Sequence, residues 1–149
     1  MIRVSISCPQ DSVPVDRARV RQVSRTVLRG EGVRDAEISL AFVDNPTIRR
    51  LNRQFLDHDE PTDVLSFPLA EPGAKKLAGE VVIGAEVAQE QAARRRHDTQ
   101  AELALYAIHG LLHLCGYDDK SAQAAAEMRQ RERHYLRQLG LPDIAPTDE

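Results

Sequence analysis

The chain has 149 residues, of which 42% are hydrophobic and 29% charged, and a formal net charge of −3. That composition suits one soluble globular domain with its own core, and the negative balance argues against binding nucleic acid through overall charge. No apolar run reaches membrane-spanning length, the start MIRVSISCPQDS lacks a signal core, and two cysteines are too few for a disulfide framework, so the expected compartment is the cytosol.

Residues 2–7 (IRVSIS) alternate apolar and polar and predict a strand with one buried face. Pro14 to Leu28 reads as a helix with Val15, Val20, Val23 and Val27 or Leu28 as its buried stripe, ended by Gly30 and Gly32. Ala36 to Val43 is a second strand, in which Ile38, Leu40 and Phe42 alternate cleanly. Asp44 is placed to cap a helix with Pro46 in its first turn, running to about Phe55 and burying Ile48, Leu51 and Phe55. Asp59-Glu60-Pro61 reads as a loop, Asp63 to Phe67 as a short strand ended by Pro68, and Ala70 to Lys76 as a mobile polar loop.

Gly79 to Gly84 reads as a further buried strand, and Ala85 to Arg96 as a helix of alanines, acids and arginines. Thr99 and Glu102 make a capping box for an apolar helix over Gln100 to Cys115, and a last helix covers Ser121 to Leu139 before Gly140. A Pro-containing tail over about 142–149 is expected to fray. The order is therefore β-α-β-α-β-β-α-α-α. The two adjacent strands lack an intervening helix, which predicts a hairpin and hence an α+β fold, a single domain with a four-stranded mixed sheet covered by helices.

The chemistry concentrates in HGLLHLCGYDD, residues 109–119. On a helix His109 and His113 project from one face a turn apart and can reach one ion. A continued helix would carry residue 119 far from that face, but Gly116 can end it in a left-handed conformation and return Asp119 to the site. Three protein ligands with an open position are the pattern of catalytic zinc. Two packed core histidines are the plain alternative for HxxxH alone; the glycine and the acid at these offsets favour the metal reading. Cys115 reads as a small buried residue rather than a ligand.

The spacing is similar to that of metzincin proteases, which carry a general-base Glu after the first histidine. Here that position is Gly110, which ranks a protease low. Glu102, seven residues before His109, is either an outer partner of a ligand histidine or the capping-box acid. His97 is expected to pack at a helix junction rather than line a groove, and His134 to sit on the surface. The arginines group as Arg17–Arg29, Arg49–Arg53, Arg94–Arg96 and Arg129–Arg137. Each group reads most simply as a solvated helix face, although the guanidinium fork suits phosphate.

HGLLHLCGYDD resembles the HGxLHLxGYDH signature of the YbeY family of metal-dependent endoribonucleases. SLAFVDNPTIRRLNRQF, PTDVLSFP, GEVVIGAEVA and HDTQAELALYAIHGLLHL match that family in order along most of the chain. The resemblance implies an α+β fold with a four-stranded mixed sheet, a bound Zn2+, and hydrolysis of single-stranded RNA. It further implies action at the 3′ end of small-subunit rRNA and in ribosome quality control, with the small ribosomal subunit as partner. By that match His109 and His113 are metal ligands and catalytic, and Thr62, Asp63 and Ser66 lie on a strand that would wall the RNA groove.

Two positions depart from the family pattern. Asp119 stands where the family has a third histidine, an acceptable zinc ligand whose negative charge would leave the bound water less acidified. Adjacent Asp118 is less well spaced for the role. Leu56 stands where the LNxxxR segment has arginine, so Arg53, with His58, is expected to supply the catalytic and RNA-binding charge instead. Two other function classes compete: a ribosome-assembly factor with reduced catalysis, for which Leu56 speaks, and a metallohydrolase of another substrate. The oligomeric state is not set by the sequence.

Overall fold

A computed structural model of the chain describes residues 1–58, 62–71 and 73–146. Nine elements follow one another: β1 (Ile2–Ser7), α1 (Arg17–Gly30), β2 (Ala36–Val43), α2 (Asn45–Leu56), β3 (Val64–Pro68), β4 (Leu77–Gly84), α3 (Ala85–Arg95), α4 (Thr99–Leu114) and α5 (Ala122–Gln138). The sheet order is β1-β2-β4-β3, with β1, β2 and β4 parallel and β3 antiparallel to β4. The α+β class, the element order and the hairpin are as the sequence predicts. The Asp59-Glu60-Pro61 reading lies outside the described residues.

Alternation decides which face each strand buries. Ile38, Leu40 and Phe42 of β2 and Val81 and Ile83 of β4 join α1, α4 and α5 in the main core. Val43, Leu65 and Val82 point the other way and pack beneath Ile48 of α2 in a smaller cluster. β4, covered on both faces, is buried continuously from Val81 to Gly84, as an inner parallel strand should be. Pro68 falls within β3 rather than after it, which an edge strand tolerates because its outward side needs no donor. α4 touches α1, α3, α5, β3 and β4, and its burial on nearly every side explains its near-continuous apolar sequence.

Four local expectations are corrected. α1 begins at Arg17 because Asp16 caps it, accepting from Arg19 N at 3.1 Å, which leaves Pro14 and Val15 outside the helix. Phe55 is 55% exposed. It lies on the last turn of α2 against the edge strand, where its ring meets that of Phe67 at a centroid distance of 5.1 Å. The cap of α4 is Asp98, not Thr99: its Oδ2 accepts from Ala101 N at 3.2 Å. Finally, the tail is packed as far as residue 146, with Ile144 and Ala145 each 5% exposed and the Ile144 carbonyl accepting from Arg95 Nη2 at 2.8 Å.

With Asp98 capping the helix, Glu102 is released for another task. It is fully buried and bonds His97 Nδ1 at 3.0 Å and Arg95 Nη1 at 3.4 Å. It therefore braces the α3–α4 junction and is neither the capping acid nor a partner of a ligand histidine. His97 sits at that junction, as expected, and His134 is exposed beside the Tyr135 ring.

Candidate metal centre and cleft

Gly110 sets how deeply α4 sits on the sheet. A Cβ there would collide with Val81 Cγ1 and lie 3.0 Å from Val64 Cγ1 and 3.3 Å from Ser66 Oγ. The helix backbone thus lies directly on β3 and β4, and Ser66 Oγ donates to the Gly110 carbonyl at 3.1 Å. The position that holds a general-base Glu in the protease pattern faces sheet, with no room for a side chain. The neighbouring His109 consequently points to the other side, toward α5.

Beyond Leu114 the helix ends at Cys115, and Gly116 takes φ +105°, a value that L side chains rarely adopt. This turn carries the chain back past Tyr117. Asp118 Oδ1 is used locally, accepting from Lys120 N at 3.0 Å. Asp119 is the acid that returns to the histidines: one ligand atom from each of His109, His113 and Asp119 lies within 4.8 Å of the others. Cys115 stands apart from this group, and burial pushes its thiol up to about 11, helped by nearby Glu31, so it is a protonated packing residue at neutral pH.

The histidine geometry suits a cation. His109 Nδ1 lies 2.7 Å from Glu132 Oε1, and the Nε2 atoms of His109 and His113 lie 3.1 Å apart. A carboxylate can only accept, so Nδ1 of His109 carries the proton and Nε2 presents its lone pair. His113 also hydrogen-bonds the backbone of Tyr117. Two zinc–nitrogen bonds of about 2.0–2.1 Å at a tetrahedral angle would set the nitrogens roughly 3.3 Å apart, close to the distance seen. Burial opposes charge on His109, but the Glu132 hydrogen bond and charge outweigh it and hold the imidazole above its usual range. Burial and the neighbouring His109 hold His113 below its usual range.

The donor set opens onto a cleft of about 490 Å³ between α3, α4 and α5. His109 and Asp119 line it, with Thr62 and Asp63 beside them and Tyr106 one turn earlier on α4. Arg95 of α3 and Arg129 of α5 stand in its walls. Tyr106 is buried and hydrogen-bonded to Glu102, both of which push its hydroxyl well above the usual range, so it stays protonated.

Of the residues singled out from sequence, His109, His113 and Asp119 are brought together, and Thr62 and Asp63 join them at the cleft. Ser66 is spent on α4 through the Gly110 carbonyl. Arg53 and His58 are exposed, and neither lines the cleft; Leu56 is 53% exposed at the end of α2. Sequence reasoning missed Glu132, although its position carries a signal. Met128, Glu132, Tyr135 and Leu136 form the buried stripe of α5, and an acid in an apolar stripe calls for a buried partner.

Comparison with known proteins agrees with this arrangement. The family model described as Endoribonuclease YbeY matches residues 5–140. The chain is 41% identical over 148 residues to the Endoribonuclease YbeY of Pelotomaculum thermopropionicum, covering 93% of this chain and 97% of that one. It is 42% identical over 135 residues to that of Carboxydothermus hydrogenoformans, covering 89% and 94%. Among solved structures it is similar to a Thermotoga maritima protein determined in solution, with a TM-score of 0.65 and 27% identity over 93% of this chain and 89% of the other. A family match over nearly the whole fold, with relatives at this identity, shows that the chain belongs to the YbeY endoribonuclease family.

Proposed function

We infer that this protein is a metal-dependent endoribonuclease that cuts single-stranded RNA during rRNA maturation. The observation that carries the reading is the convergence of His109 Nε2, His113 Nε2 and an Asp119 carboxylate oxygen at the mouth of a cleft walled in part by arginines. Membership of an endoribonuclease family supports RNA as substrate, and the resemblance supports the 3′ end of small-subunit rRNA, the small ribosomal subunit as partner, and the cytoplasm. Among the described residues no helix is long and apolar enough to cross a membrane.

In this reading His109, His113 and Asp119 hold one Zn2+, the ion that two imidazoles and a carboxylate suit. A bound divalent ion would act as a Lewis acid toward the phosphodiester and acidify water. Glu132 keeps the His109 proton on Nδ1 and its lone pair aimed at the site. Thr62 and Asp63 contact the RNA strand where it enters the cleft. Gly110, pressed against the sheet, offers no proton acceptor, so peptide hydrolysis has no base at the protease position.

The exposure of Leu56 and the absence of Arg53 from the cleft favour one second reading, an assembly factor that binds rRNA with reduced catalysis. Purified protein separates the two. Metal content is measured first, then cleavage of a single-stranded RNA by wild type and by His113→Ala, with and without added zinc. Zinc at one equivalent and cleavage abolished by His113→Ala are expected. Bound zinc without His113-dependent cleavage would overturn the nuclease reading in favour of the assembly factor, and peptide hydrolysis alone would overturn both.

A further inference from the structure

We propose that Arg95 forms a phosphate subsite for the RNA strand at the end of the cleft away from the metal ligands. The inference rests on the nuclease reading above and adds a position for a second phosphate. Arg95 is the last residue of α3 and faces the cleft along the stripe Val87, Gln91, Arg95. Its guanidinium is fixed at two points: Nη1 lies 3.4 Å from the fully buried Glu102 and Nη2 donates to the Ile144 carbonyl at 2.8 Å. Guanidinium has five N–H donors. Among the described residues these two contacts are its hydrogen bonds, and the side chain is 36% exposed. The remaining donors are held in place and open to the cleft.

The spacing suits a polyanion. Glu102, which anchors Arg95, precedes His109 by seven residues on α4, about 10 Å along the helix axis. A strand with one phosphate at the histidines would thus meet Arg95 with a neighbouring phosphate, not the one being cut. Arg129 lines the facing wall of the same cleft. A fixed guanidinium loses little side-chain entropy on binding, which favours it over a free surface arginine. The α2 positions that sequence points to, Arg53 and Leu56, lie outside the cleft, so α3 and α5 provide its cations instead.

The test uses the full chain, its zinc complex and a fluorescent single-stranded RNA oligonucleotide. Binding is followed by anisotropy in EDTA across a salt series, cleavage by steady-state kinetics with zinc, and folding by melting temperature, for wild type, Arg95→Gln and Arg95→Lys. Losing one charged hydrogen-bond donor to phosphate should raise Kd and KM about tenfold in Arg95→Gln. The log–log salt slope should fall by about 0.7, the increment for one phosphate on a single strand. Arg95→Lys keeps the charge and should keep most of the slope, with kcat within about twofold in both variants, as expected when uniform binding is lost.

If Arg95 only braces Glu102 and the tail, both variants melt lower and both retain the wild-type slope; that result overturns the subsite. Wild type that binds and cleaves RNA while Arg95→Gln matches it in slope and KM overturns the subsite and leaves the nuclease reading standing. Wild type that neither binds nor cleaves RNA overturns both.

Discussion

Glu132 Oε1 and His109 Nδ1 lie 2.7 Å apart, joining the middle of α5 to the side of α4 that carries the candidate metal ligands. The carboxylate is almost fully buried, and its second oxygen has no partner among the described residues. An acid would not be held there without a charged or proton-bearing neighbour, so the pair is a means of orienting His109. Replacing Glu132 with Leu should weaken zinc binding by about 10–100-fold. Glu132→Gln, whose amide oxygen still accepts the Nδ1 proton, should lose less. Competition against a chromophoric chelator measures both, and a Leu variant that holds zinc as tightly as wild type would refute the role.

Gly110 makes a separate, structural prediction. Ala there would place a methyl group against Val81 and Val64 and crowd the Ser66 hydroxyl that donates to α4. Overpacking of this kind costs about 1–3 kcal/mol, and each kcal/mol lowers Tm by roughly 2–4 °C in a domain of this size. Thermal melting of Gly110→Ala checks it. An unchanged Tm would mean that the helix can lift off the sheet without penalty.

The fold was readable because its signals are local: strict alternation in β2, an apolar face in α1, Asp44 before Pro46, and the absence of a helix between β3 and β4. The candidate metal-binding group was readable for the same reason, since His109, His113, Gly116 and Asp119 lie within eleven consecutive residues. What escaped was carried by contacts between distant segments. Glu132 acts on a histidine 23 residues away, and Arg95 is positioned by the tail 49 residues later. Asp98 and Thr99 are both good caps, and spacing alone did not choose between them. Phe55 has helical periodicity, but its burial depended on how far the sheet extends beneath α2.

Glu31, which is not one of the His109, His113 and Asp119 group, gives a pH dependence of stability. It follows α1 and accepts from Arg131 Nη2 at 2.6 Å and from the Tyr135 hydroxyl. Burial raises its pKa, but hydrogen bonds from Tyr135, Arg131 and Tyr117 outweigh this and hold it below the usual carboxylate range. A depressed folded-state pKa contributes stability that is present above the unfolded value, about 4.3 for Glu, and is lost as pH falls through the folded value. Wild type should therefore exceed Glu31→Gln in urea stability by a constant margin at neutral pH, and the margin should shrink on acidification below about pH 4.5. A gap that widens with acid would contradict the assignment.

Gly116 and Asp119 should behave as one unit toward the metal. The glycine holds φ at +105°, and a Cβ there would strain the backbone even though nothing crowds the position. The left-handed conformation costs an L residue about 1–2 kcal/mol, and relief of that strain would swing residues 117–119 away from the histidines. Gly116→Ala and Asp119→Ala should each weaken zinc binding. Once Asp119 is gone, the turn has no ligand left to deliver. In the double variant the Gly116 substitution should therefore add little to the loss of affinity, while its cost in Tm persists undiminished. A double-mutant cycle on zinc affinity and on melting temperature separates these effects. Full additivity in affinity would show that the turn serves the site by some route other than placing Asp119.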